Sequence, residues 1–151
     1  MKVESKSSNN IIGVHHVGIV VDDIQSQSNY YQQKLGYDAE SGIINEVEQD
    51  VFVQFLIYDK FRIELIQPTN DNSPVSKFLK EGGGLNHICY LSNNIEKTTK
   101  YFRQECKALP ISSKWSAAIK NCKVIFLGWP NGEVIEILQP LEEIQYFPPY
   151  F

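Results

Sequence analysis

Cysteine is scarce in this chain of 151 residues, and its three copies form no pattern. Cys89, Cys106 and Cys122 are an odd number, are widely spaced and include no Cys-x-x-Cys pair. This arrangement favours reduced thiols over a disulfide framework. We therefore expect three small buried apolar side chains in a cytoplasmic protein.

Long apolar runs and clusters of one charge are also missing. No uninterrupted apolar stretch approaches the roughly 20 residues that span a bilayer, and the polar residues 1–10 lack the apolar core of a signal peptide. The 18 Asp and Glu residues outnumber the 14 Lys and Arg residues, which are scattered and leave a net charge of −4. The sequence therefore predicts neither a nucleic-acid partner nor a membrane partner.

What the chain does contain is an internal repeat. An offset of 71 residues places His16 on His87, and an offset of 72 places Glu64 on Glu136. Apolar and polar neighbours repeat with them: Ile24 with Ile95, Tyr30 with Tyr101, Phe55-Leu56 with Phe126-Leu127, and Gln67-Pro68 with Gln139-Pro140. A duplicated module is the unit from which the fold should be built.

Each copy of the repeat predicts the element order βαβββ, which makes the chain an α+β protein. The first copy has a strand at 13–21, a helix at 24–35 and strands near 37–46, 51–58 and 61–67, followed by a short helix at 75–80. The second has a strand at 85–91, a helix at 95–106 and strands at 109–113, 123–127 and 133–139. Either module alone would expose one sheet face, so we expect one domain, 11–140, made of modules 11–81 and 82–140. Residues 1–10 are expected to form a flexible tail and 141–151 an aromatic tail.

The repeat-related acids and histidines are the candidates for chemistry. Glu64 and Glu136 each lie between aliphatic residues, where a carboxylate is costly to bury unless a cation or hydrogen-bond donors meet it. Either glutamate alone could face solvent, but both occur at equivalent points of the repeat. His16 and His87 are equivalent in the same way. His15 is expected outside the site, at a surface or an interface, because neighbouring strand residues face opposite ways.

Two neutral imidazoles and two carboxylates would balance the charge of one divalent cation. Such a ligand set suits zinc, nickel, cobalt or manganese. A six-coordinate ion would keep two positions open for water or substrate oxygens, as a catalytic site requires.

Five stretches of the chain resemble the vicinal-oxygen-chelate superfamily, which includes glyoxalase I and methylmalonyl-CoA epimerase. These stretches are HVGIVV from position 16, FRIELIQP from 61, NSPVSKFL from 72, GLNHIC from 84 and VIEIL from 134. The resemblance covers 13–140 and implies paired βαβββ modules that form a cupped mixed sheet around a metal. It also implies four metal ligands, which fall on His16, Glu64, His87 and Glu136. The ion would be cobalt, nickel, zinc, manganese or magnesium.

The same resemblance implies three functions. The stretch from Ser73 to Leu79 is most similar to the epimerase branch, in which Glu136 and Glu64 would act as bases on a small thioester substrate. The chain departs from the epimerases at Asn86-His87, where they commonly have two histidines, and in the loop 114–121 (KWSAAIKN), which has no glycine or histidine. Because this loop is more similar to that of some glyoxalase-I-like proteins, a glyoxalase-I-like lyase acting on a hemithioacetal is the first alternative. A non-catalytic small-molecule-binding protein of the same fold is the second. A homodimer is expected in each case.

Overall fold

The protein consists of two units, and the boundaries between them fall inside two strands, one at the start of each half of the chain. The structure is a computed structural model that describes residues 8–115, 119 and 121–141. One unit spans 16–86, and the other contains the described residues up to His15 together with those from His87 onward. In both strands the division falls directly before the repeat-related histidine.

The N-terminal unit is built on a mixed sheet with one long helix. Its sheet has the order β2-β4-β5-β1, with β3 paired to β4. β1 runs parallel to β5, and the β4–β5 pair is antiparallel. The elements are β1 Ile11–Val20, α1 Ile24–Leu35, β2 Asp38–Ala39, β3 Ile44–Glu46, β4 Val51–Tyr58, β5 Phe61–Pro68 and α2 Ser76–Lys80, with a 3₁₀ turn at Val47–Gln49 before β4.

The C-terminal unit repeats this plan. Its sheet order is β6-β9-β8-β7, and β6 runs parallel to β9 while the other pairs are antiparallel. Its elements are β6 Gly84–Ser92, α3 Ile95–Glu105, β7 Leu109–Trp115, β8 Cys122–Gly128 and β9 Val134–Pro140. The predicted βαβββ order is therefore present in the second module, and the first departs from it only at the strand predicted at 37–46.

The predicted strand at 37–46 is wrong as a single element. Two short strands, β2 and β3, stand there instead, separated by residues 40–43, of which 40 and 41 form a bend. The Ser41 hydroxyl accepts the backbone N–H of Phe55 at 3.0 Å, and the Glu40 N–H donates to the Phe55 carbonyl at 3.0 Å. A serine side chain thus takes a position in the hydrogen-bond ladder that backbone would otherwise fill, which interrupts the strand.

The start of each long helix is fixed by two side chains that the repeat supplies. Asp23 accepts the Ser26 N–H at 2.9 Å, and Asn94 accepts the Lys97 N–H at 3.0 Å. The repeated glutamines accept the first helical N–H groups: Gln67 that of Ile24 at 2.8 Å, and Gln139 that of Ile95 at 2.7 Å. Donors that helix geometry leaves without partners are thereby satisfied. Each helix is therefore hydrogen-bonded to a strand that also carries the module's glutamate, which lies three residues before the glutamine.

The apolar cores lie between each helix and its sheet. In the N-terminal unit the core contains Val21, Ile24, Leu56, Ile63 and Leu65. In the C-terminal unit it contains Ile95, Phe102, Ala108, Leu127, Ile135 and Ile137. Because side chains alternate along a strand, the glutamate between each pair of core residues on β5 or β9 faces away from the helix.

Glycine ends the connection between the modules. A Cβ on Gly83, which has φ of 66°, would lie 2.8 Å from the Val20 carbonyl oxygen, so only glycine fits this close approach. None of the helices in the described part of the chain combines the length and the apolar character that a bilayer crossing requires.

Candidate metal centre

The N-terminal unit pairs a buried imidazole with a buried carboxylate. Parallel pairing of β1 with β5 places Gly18 opposite Glu64, and His16 lies two residues earlier on the same face of β1. His16 Nε2 is 3.1 Å from Glu64 Oε2, and the two residues are only 1% and 9% exposed. Phe55, opposite Glu64 on β4, meets the imidazole edge-on with ring centroids 5.5 Å apart. The Phe55 ring orients the His16 imidazole and shields the His16–Glu64 pair from water.

The C-terminal unit contains the equivalent pair. Cys89 of β6 lies opposite Glu136 of β9, and His87 lies two residues before Cys89. His87 Nε2 is 3.0 Å from Glu136 Oε2, and the two residues are 6% and 4% exposed. Phe126, opposite Glu136 on β8, meets the imidazole edge-on at 5.7 Å. The repeat of the sequence is therefore a repeat of side-chain geometry.

Each pair has the donor types and the spacing that a divalent ion requires. Two ligand atoms at right angles around an ion, each bonded at about 2.1 Å, lie about 3.0 Å apart. The imidazole nitrogen and the carboxylate oxygen of each pair are separated by 3.1 and 3.0 Å. A carboxylate that is almost fully buried is costly without a cation, and a neutral imidazole offsets only part of that cost. Both pairs therefore fit a metal ligand role.

His15 does not lie at the surface. It is 1% exposed, so the expectation of a surface histidine is wrong.

A buried arginine close to Glu64 along β5 forms an ion pair that the sequence analysis missed. Arg62 lies two residues before Glu64 on β5, on the same face, and is 1% exposed. Its guanidinium is held by Glu40, with Nε donating to one carboxylate oxygen and an NH2 nitrogen donating to the other at 2.7 Å. This bidentate pair ties β5 to the bend after β2. The signal was an arginine inside an apolar strand, which is buried only when it has a partner.

The thiol beside the C-terminal pair is inert. Burial, followed by the negative charge of Glu136, raises the pKa of Cys122 to about 12. Cys89 is also buried, whereas Cys106 is half-buried. At neutral pH Cys122 is a protonated thiol, in keeping with a role as a small apolar side chain.

This duplicated fold is that of a known family of proteins. Residues 15–126 match the family described as the Glyoxalase/Bleomycin resistance protein/Dioxygenase superfamily, and the chain belongs to it. The predicted family and fold class are thereby confirmed.

The similar proteins include several epimerases. The methylmalonyl-CoA epimerase of Dictyostelium discoideum mitochondria is 34% identical over 137 residues, which cover 85% of this chain and 82% of that protein. The crystal structure of methylmalonyl-CoA epimerase from Mycobacterium tuberculosis aligns with a TM-score of 0.77, at 22% identity, over 90% of this chain and 93% of that one. A variant of the Streptomyces coelicolor epimerase, in complex with 2-nitronate-propionyl-CoA, aligns with a TM-score of 0.74, at 20% identity, over 87% and 99%.

Proposed function

We propose that the chain is a divalent-metal-dependent epimerase that resembles methylmalonyl-CoA epimerase. The observation that carries the proposal is the equivalent buried His–Glu pair in each module of a chain whose Dictyostelium relative is named as that enzyme. The substrate would be a 2-methylmalonyl thioester, and the reaction an inversion at the carbon between its two carbonyl groups.

In this proposal His16, Glu64, His87 and Glu136 hold one ion. The support is internal to the chain: both pairs use the same atoms at the same spacing, and together they would balance a 2+ charge. Cobalt, nickel, zinc, manganese and magnesium all accept this donor set or a close variant of it. Metal analysis of protein purified without added metal would identify the ion, and loss of that metal in His16→Ala is the expected control result.

The ion, when bound, would supply electrophilic stabilisation of the negative charge that develops on the substrate carbonyl oxygen. Proton movement would be the task of the chain's carboxylates. Glu136 and Glu64 are the proposed bases: one removes the proton from C2, and the other returns a proton to the opposite face of the planar carbon. Return to the opposite face inverts the centre. Phe55 and Phe126 would keep water from the reacting carbon.

Deuterium exchange tests this function directly. Metal-replete protein is incubated with methylmalonyl-CoA in deuterated water, and incorporation at C2 is followed by NMR or mass spectrometry. We expect exchange in the wild type and a fall of about 100-fold or more in Glu136→Gln, which removes a general base. Glu133→Gln is the matched control, because Glu133 is exposed and lies three residues away on the same hairpin. It should exchange at the wild-type rate.

The competing functions give different results in the same preparation. Absence of exchange together with turnover of methylglyoxal plus glutathione would overturn the epimerase in favour of the glyoxalase-I-like lyase. Metal-free protein that binds a ligand without turning it over would favour a binding protein. A cytoplasmic homodimer remains our prediction for the assembly, and sedimentation equilibrium would measure its mass.

A further inference from the structure

The C-terminal unit has an open groove on the helix side of its sheet. The groove has a volume of about 910 Å³ and lies between α3 and strands β7 and β8. Its floor is apolar and includes the buried side chains of Ile95 and Ala108 and the half-buried side chain of Ile125. Glu136 faces the other side of this sheet, so the groove is separate from the candidate metal ligand of the same unit. Its size suits a small molecule.

The rim of the groove is cationic in an acidic protein. Lys100, Arg103, Lys107 and Lys123 line it together with one carboxylate, Glu96, so its formal charge is +3, while the whole chain carries −4. Lys123 pairs with Glu96 at 3.0 Å, and Lys107 donates to the Gln104 carbonyl at 3.1 Å. Among the described residues, no ion pair engages the exposed side chains of Lys100 and Arg103.

The N-terminal unit carries a larger side chain at a corresponding position. The two modules can be aligned by a shared backbone bond, since Tyr37 N–H donates to the Tyr31 carbonyl at 3.1 Å and Ala108 N–H to the Phe102 carbonyl at 3.1 Å. Tyr37 fills its position and packs against the Tyr31 ring, with centroids 5.2 Å apart, where the second module has only alanine.

The cations of the groove are likewise absent from the first module. At the 71-residue offset, Lys100, Arg103, Lys107 and Lys123 correspond to Asn29, Gln32, Gly36 and Phe52. Phe52 packs against the apolar cluster beneath α1. The second module therefore replaces neutral or apolar residues with positive charge at all four positions. Fold maintenance does not require these cations, because the first module builds the same helix and sheet without them.

We propose that this groove binds a phosphorylated small molecule with a flat apolar body, of the nucleoside diphosphate type. The apolar floor would receive the base, and Lys100 and Arg103 would bind phosphate oxygens. Lys107 and Lys123 add to the positive potential at the rim. The proposal does not depend on the epimerase assignment, because the groove and the metal ligands lie on opposite faces of the sheet.

ADP is the probe for this site. Titration of the full chain with ADP is followed by calorimetry and by amide chemical shifts, in EDTA so that contacts between phosphate and metal do not contribute. We expect ADP to bind more tightly than adenosine, to weaken as salt is raised, and to shift amides of α3 and β8. Lys100→Asn with Arg103→Gln installs the first module's residues and should weaken ADP binding by about tenfold or more.

Two further variants make the result decisive. Lys34→Gln with Lys97→Gln removes the same charge from exposed helix positions that do not line the groove, and it should bind ADP as the wild type does. Lys123→Phe fills the groove as Phe52 fills the first module, and it should abolish the shifts. Equal weakening in both double variants would reduce the effect to overall charge and overturn the proposal. So would undiminished binding in Lys123→Phe.

Discussion

The thermal stability of this protein is expected to depend on a divalent ion held by the two buried His–Glu pairs. Without metal, the chain buries two carboxylates whose residues are 9% and 4% exposed, each with an imidazole as partner. A ligand that binds only the folded state stabilises it in proportion to the logarithm of its concentration over Kd. Metal addition should therefore raise Tm, and EDTA should reverse the change.

The size of the shift can be worked out. Free ion at 1,000 times Kd contributes about 4.1 kcal/mol, which for a chain of this length is a rise in Tm of about 8–16 °C. Glu136→Gln removes one of the two negative ligands. A 100-fold loss of affinity would remove about 2.8 kcal/mol, roughly two thirds of the shift. In EDTA the same variant should be as stable as the wild type or more so, because a buried amide costs less than a buried carboxylate.

Differential scanning calorimetry with and without EDTA measures both effects. Glu133→Gln serves as the control here too, because its side chain is exposed, and it should keep the full metal shift. The reasoning fails if the wild type shows no metal-dependent change in Tm, or if Glu136→Gln keeps the whole shift. It also fails if Glu136→Gln is several kcal/mol less stable than the wild type in EDTA, since the carboxylate would then be a structural partner and not a metal ligand.

Three further predictions concern the scaffold. Glu40→Ala removes the bidentate carboxylate partner of the buried Arg62 guanidinium and should lower the free energy of unfolding in urea by about 3–5 kcal/mol; a loss below about 1 kcal/mol would contradict this. Gln139→Ala removes the acceptor of the first N–H of α3, that of Ile95, and should lower the free energy of unfolding by about 1 kcal/mol. The rise in Tm on addition of metal should not change. Burial raises the pKa of Cys122 to about 12, above the ordinary value of 9.0, so the folded state keeps a proton that the unfolded state loses as pH rises. Between about pH 9 and about pH 10.5 the wild type should therefore lose about 2 kcal/mol that Cys122→Ala does not lose, and equal slopes for the two proteins would refute it.

The local elements could be predicted wherever the signal lies within a few residues. The helix predicted at 24–35 is observed with those bounds, because Asp23 caps its start and Gly36, with φ of 80°, ends it. The glutamates could be singled out for a different reason. A charged residue inside an aliphatic strand is expensive, and its recurrence at one offset makes a chance occurrence a poor explanation.

Contacts between distant residues could not be predicted in the same way. Glu40 and Arg62 are 22 residues apart, and nothing in the local sequence of either one specifies the other. The bend that carries Glu40 depends on the Ser41 hydroxyl, which accepts a backbone N–H of β4. Strand propensity alone predicts an unbroken strand at this place. The paired glutamines were visible as a repeat, but their role as acceptors for the helices becomes clear only when strand end and helix start are placed side by side.

Comparison of the two modules separates the residues of the site from those of the groove by sheet face. On the face away from the helices, the two modules carry the same site residues: His16 with His87, Phe55 with Phe126, and Glu64 with Glu136. On the helix side, neutral or aromatic residues at four positions of the first module correspond to the four cations of the groove in the second. A shared ion would require equal ligands from both modules, whereas a ligand of one module alone would require only that module to change. Both proposals therefore follow from the same duplication, one from what the copies share and the other from where they differ.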